Sequence, residues 1–90
     1  MRPLSKTPAQ IIGEILRHIR KDAGLGKEEM AEHLGYGTRG SISHFETGER
    51  RISFWEFVEF CRACNEDPGE VLDALLKTMP GPFHPPKEEA

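Results

Sequence analysis

Gly24-Leu25-Gly26-Lys27-Glu28-Glu29-Met30-Ala31-Glu32-His33-Leu34-Gly35, then Thr38-Arg39-Gly40-Ser41-Ile42-Ser43-His44-Phe45-Glu46-Thr47-Gly48, is the stretch on which the fold turns. Met30, Ala31 and Leu34 recur at helical spacing from about Lys27, and Gly35 follows as a C-terminal stop. Thr38 is a helix cap for the next segment, which places Ile42 and Phe45 on one face and ends by Gly48. The reading is two short helices joined by a tight, glycine-bearing turn.

Working outward, Thr7-Pro8-Ala9-Gln10 opens an earlier helix. Thr7 is its cap, Pro8 fills the first position, where a missing N–H costs nothing, and Gln10 reaches back to the cap amide. Ile11, Ile12, Ile15, Leu16 and Ile19 form its apolar stripe, and Gly24 ends it. On the other side, Ser53-Phe54-Trp55-Glu56 is a second capping box. The helix it opens carries Trp55 and Val58, with Phe54, Phe57, Phe60 and Cys61 as further apolar positions. Asp67-Pro68-Gly69-Glu70 caps a fifth helix with Val71, Leu72, Leu75 and Leu76 as its expected buried stripe, and Pro80-Gly81-Pro82 stops it. Residues 1–7 read as a flexible tail and residues 8–78 as the domain. Residues 79–90 read as a Pro-rich flexible tail, with four prolines among the last eleven residues.

Ninety residues suffice for one domain with one core. An apolar fraction of 37% and a charged fraction of 30% fit a soluble globular chain. No apolar run is long enough to span a bilayer and no signal-like segment opens the chain, so no membrane role and a cytoplasmic location are expected. The net charge of −3 hides a polarity: residues 1–51 hold nine Lys/Arg against seven Asp/Glu, residues 52–90 three against eight. The basic groups available to a polyanion, among them Arg17, Arg20, Lys21, Lys27, Arg39, Arg50 and Arg51, lie in the first part.

Two short helices joined by a glycine turn, with one helix before and two after, make the arrangement that sets a recognition helix in a DNA major groove. Residues Leu16 to Gly35, with Ile42-Ser43-His44-Phe45-Glu46-Thr47-Gly48-Glu49-Arg50, resemble the Cro/cI-type helix-turn-helix family, also called XRE-type. The resemblance covers about residues 12–76. It implies an all-α, compact five-helix, lambda-repressor-like DNA-binding domain, of a family that usually acts as dimers on palindromic operators.

By resemblance Ala31 is the small residue where the two helices cross, since a larger side chain would push them apart. By resemblance Glu46 pairs with Arg20 from the end of the first helix, partly buried, and Gly48 is the structural glycine after the recognition helix. With Ile42 and Phe45 inward, helical geometry turns Gly40, His44 and Thr47 outward and puts Ser41 and Ser43 on the flanks. Thr38 and Arg39 stand at the amino end, where an arginine offers a bidentate contact to guanine or clamps a phosphate. Lys27, where the family commonly has glutamine, and Arg50 and Arg51 in the following loop are placed for phosphates. Between Leu34-Gly35 and Ile42 the chain carries one residue more than the usual turn, within Gly37-Thr38-Arg39-Gly40-Ser41.

Cys61-Arg62-Ala63-Cys64 is a lone C-x-x-C, and the histidines at 18, 33, 44 and 84 lack metal-ligand spacing. Structural thiols, with no metal and no cofactor, are therefore expected. No nucleophile–base pattern or phosphate loop suggests an enzyme. The aromatic fourth helix holds more apolar surface than one stripe buries, so helices four and five are read as core plus a surface for a homodimer or a protein partner. Two functions follow: a sequence-specific regulator, a repressor, reading a palindromic operator with residues 38–47, or an interaction module such as an antitoxin or transcription adaptor with secondary DNA binding.

Overall fold

A computed structural model describes residues 6–36 and 38–78. The expected tail over 79–90, most of the tail over 1–7 and Gly37 of the lengthened turn lie outside the described residues. Five α-helices follow in order: α1 (Pro8–Asp22), α2 (Lys27–Leu34), α3 (Arg39–Thr47), α4 (Phe54–Ala63) and α5 (Pro68–Thr78). Among the described residues there is no strand, and no helix is long and apolar enough to cross a membrane.

Local chemistry sets the helix ends. The Thr7 hydroxyl accepts from the Gln10 amide while the Gln10 side chain accepts from the Thr7 amide, at 3.2 and 2.9 Å. Ser53 and Glu56 repeat this exchange at 3.1 and 2.8 Å. Each satisfies two donors that a helix start otherwise leaves unpaired. Gly35 and Gly48 end α2 and α3 in left-handed conformation, at φ 82° and 83°, which glycine adopts without steric cost.

The core gathers Leu16 and Ile19 of α1, Met30 and Ala31 of α2, Ile42 and Phe45 of α3, Phe57, Phe60 and Cys61 of α4, Cys64 after it, and Val71 and Leu75 of α5. Ile11, Ile12, Ile15 and Leu34 pack half-buried around it. Helix α3 lies against α1 and α2, whereas α5 rests chiefly on α4 and α1.

That difference corrects two expectations. Leu72 and Leu76, read as part of a buried stripe, are 44% and 54% exposed, and only Val71 and Leu75 of that stripe are buried. Likewise Phe57 and Phe60 enter the core, but Phe54 and Trp55 stay 76% and 56% exposed. The cause is coverage. Helix α5 packs on α4 and α1, and among the described residues no element covers Leu72 and Leu76; Phe54 and Trp55, in the first turn of α4, are likewise left uncovered.

Helix α1 crosses α3 at close range. A Cβ at Gly13 would stand 2.5 Å from the carbonyl oxygen of Phe45 and press on that of Glu46. Only a residue without a side chain lets these backbones come so close. Gly48 is similarly enclosed, since a Cβ there would meet the Gln10 Cγ at 2.8 Å. The N-terminal half of α1 and the C-terminal end of α3 therefore form one block.

Candidate nucleic-acid interface

Arg20 and Glu46 hold the interface in place. Arg20 Nε donates to Glu46 Oε2 at 2.6 Å, Nη2 donates to Oε1 at 3.0 Å, and Nη1 donates to the Leu25 carbonyl at 2.8 Å. Both residues are only 6% exposed. The two-pronged geometry suits a guanidinium and a carboxylate, and the third bond ties in the loop between α1 and α2. Helix α3 is thereby fixed in rotation about its own axis, which determines the side chains it turns outward.

Both ends of α3 are secured. The Thr38 hydroxyl accepts from the Gly40 amide at 3.1 Å, so this oxygen already serves the helix. At the other end the Gly48 amide donates to the Phe45 carbonyl at 3.2 Å. Along the helix Arg39, His44 and Thr47 are exposed, and Ser41 and Ser43 are half-buried on the flanks. Gly40, expected on the outward face, is half-buried, with the Thr38 hydroxyl that caps the helix beside it.

The remaining basic candidates differ in how they are held. Lys27 is half-buried and donates to the Ser43 hydroxyl at 3.0 Å, joining the start of α2 to the middle of α3. Arg50 lies over two rings, 5.1 Å from the centre of Phe45 and 5.5 Å from that of Tyr36, while its amide donates to the His44 carbonyl at 3.0 Å. Cation–π contact of this kind holds a guanidinium in place without neutralising it. Arg51 is exposed. Arg39 borders a surface hollow shared with Lys27, Glu28 and Glu29 and another shared with Glu28 and Glu32.

Three participants escaped the sequence reading. Tyr36, in the turn, is half of the aromatic seat of Arg50, its ring 6.0 Å from that of Phe45. Glu49 places Oε1 3.5 Å from His44 Nε2, a contact that becomes an ion pair when the imidazole is protonated. Gly13 sets the approach of α1 to α3. Only Gly13 left a local signal, a glycine inside an otherwise strong helical pattern. With Glu28, Glu29, Glu32 and Glu49 exposed beside Lys27, Arg39, Arg50 and Arg51, this side of the domain is of mixed sign.

The two thiols lie in the core. Burial pushes Cys61 up to about 12, assisted by Cys64 and by the carboxylates of Glu66 and Asp67. Burial likewise pushes Cys64 up to about 11, with Glu66 raising it and Arg20 opposing. Both are protonated at neutral pH, and a thiol that stays protonated is a weak ligand and a weak nucleophile. Among the described residues no three His, Cys, Asp or Glu side chains gather as a metal site would require.

A family model described as "Helix-turn-helix domain" matches residues 11–75. The structure is similar to that of an XRE-family like protein from Pseudomonas syringae pv. tomato. That protein is 33% identical, with a TM-score of 0.71 over 81% of this chain and 88% of the other. It is also similar to the clp gene regulator ClgR from C. glutamicum, at 25% identity and a TM-score of 0.73 over 84% of this chain and 97% of that one. A third similarity is to the restriction-modification controller protein C.AhdI from Aeromonas hydrophila, at 27% identity and a TM-score of 0.63 over 70% and 94% of the two chains. A comparison with curated protein sequences gives no match.

Proposed function

The chain belongs to the helix-turn-helix domain family, of the XRE type, and from that premise we propose that it is a DNA-binding transcriptional regulator, a repressor, that reads its operator through α3. The observation that carries this reading is the bracing of α3. A helix capped at both ends and locked in rotation by the buried Arg20–Glu46 pair turns Arg39, His44 and Thr47 to solvent together. Arg39 and His44 read base edges in the major groove, with Thr47 alongside. Thr38, Gly40 and Ser41 bring the amino end of the helix near the backbone of the duplex. Lys27, positioned by Ser43, and Arg50, positioned by Tyr36 and Phe45, join Arg51 in contacting phosphates, which gives affinity and salt dependence without sequence information.

The protein works as a homodimer on a palindromic site, in the cytoplasm, by binding and not by catalysis. The exposed apolar residues of α4 and α5 support pairing through those helices, because exposed apolar surface favours burial against a partner. The same residues favour a second reading, in which the acidic, apolar half binds a different protein, as an antitoxin or a transcription adaptor does, and DNA binding is secondary.

The test is binding to the DNA flanking the protein's own gene, wild type against Arg39→Ala/His44→Ala, across a salt series. Each lost base contact is expected to cost about 1–3 kcal/mol, so the double variant should lose preference for the operator while retaining salt-dependent attachment to random DNA. No preference in the wild type at low salt would remove the regulator reading and leave the protein-binding one.

A further inference from the structure

Between the first turn of α1 and the loop that follows α3 lies a groove of about 560 Å³. Ala9, Ile12, Phe45 and Ile52 give it apolar walls, and Arg50 and Arg51 also line it. Small-molecule sites combine an apolar lining with a few placed polar groups in volumes of this order. The charged groups here are of one sign. Among the described residues neither arginine is ion-paired with a carboxylate, and the first turn of α1 carries no acidic residue to offset the positive end of its dipole. Arg50 is held on the Phe45 ring, so its charge stays beside the groove.

We propose that this groove binds a small organic anion with an apolar body. The acid group lies against Arg51 and Arg50, and the hydrocarbon or aromatic part lies against Ile12, Phe45 and Ile52. The occupant follows from the charge of the lining and from its apolar walls: a cation meets two guanidiniums, and an inorganic anion leaves the walls wet.

The location gives the site a consequence. Its walls belong to the block in which Gly13 and Gly48 press α1 onto the end of α3. An anion on Arg50 and Arg51 occupies the guanidiniums assigned above to DNA phosphates. Ligand and DNA therefore compete, and the ligand is an effector that weakens DNA binding. This competition rests on the phosphate contacts proposed above, whereas the site itself does not.

The experiment titrates the full chain with decanoate below its micelle concentration and follows backbone amides by NMR, with decyltrimethylammonium as a cation of the same body. Decanoate is expected to give saturable shifts at Ala9, Ile12, Gly48 and Ile52, and the cation none. Ala9→Phe, which fills the groove, should abolish these shifts in a spectrum that remains folded. Arg51→Gln, by removing a charge-assisted contact, should weaken binding about tenfold. Absent shifts, equal shifts with the cation, or shifts centred on Phe54, Trp55, Leu72 and Leu76 overturn the site. In a second arm decanoate should weaken DNA binding by the wild type but not by Ala9→Phe. Unchanged DNA affinity while the groove amides shift overturns the competition. Failure of the wild type to bind DNA at all removes the regulator reading and the competition with it, while the amide shifts still decide the site.

Discussion

Where α1 crosses α3, backbone meets backbone and a hydrogen atom is all that Gly13 can carry, whereas on α5 two of the four apolar side chains of the stripe face solvent. Both helices carry an apolar stripe at helical spacing, and they differ in how much of it their neighbours cover. An amphipathic pattern marks the surface a helix is able to bury. The amount it does bury depends on what lies opposite. The braced region carries the proposed DNA-reading helix, and the open region carries the surface available to another chain.

The largest effect should come from breaking the brace. Arg20→Met leaves Glu46 charged and buried without its partner, at an expected loss of about 3–5 kcal/mol in urea unfolding. Arg20→Met/Glu46→Leu should restore much of that loss. A single-variant loss below about 1 kcal/mol, the level of an exposed pair, would show that the pair does not brace α3. Gly13→Ala comes next. Its methyl group must separate α1 from α3, with an expected cost of about 1–3 kcal/mol for an overpacked contact, read by the same unfolding curve. A neutral or stabilising result, as alanine in an open helix gives, would mean that this crossing is looser than the geometry indicates.

The thiols give a pH test of the core. Their folded pKa values lie above the ordinary value of 9.0, so the folded state holds these protons more firmly than the unfolded chain does. Their contribution is complete below pH 9 and is lost as pH rises toward 11 and 12. Stability should decline across that window, and Cys61→Ala/Cys64→Ala should flatten the decline. An unchanged slope would mean that the thiols exchange freely with solvent. The smallest effect is expected at the open face. Leu72→Gln/Leu76→Gln should change monomer stability by no more than about 0.5 kcal/mol for each site. The same variant should abolish the proposed dimer in sedimentation analysis. A large loss of monomer stability would place these leucines in the core after all.

How legible was the interface? The residues able to stabilise helix ends were readable, because Thr7 with Gln10 and Ser53 with Glu56 act within four positions of each other. The engagement of Lys27 with Ser43, sixteen positions apart, and of Arg50 with Tyr36 was not, since helical spacing carries no information about which side chains meet across elements. Leu72 and Leu76 were misplaced for the same reason. Periodicity distinguishes an apolar side from a polar one but does not state how wide a strip the neighbours cover.

The sequence by itself determined five helices, the caps at Thr7, Thr38 and Ser53 and the stops at Gly35 and Gly48, because capping and left-handed glycine termini are local chemistry that short segments carry with them. The tertiary structure alone decided that Gly13 marks a close approach of two helices, that Arg50 rests on an aromatic seat, and that half of the α5 stripe stays open. Those outcomes depend on pairs of residues far apart in the chain, whose distance is set only when the helices pack.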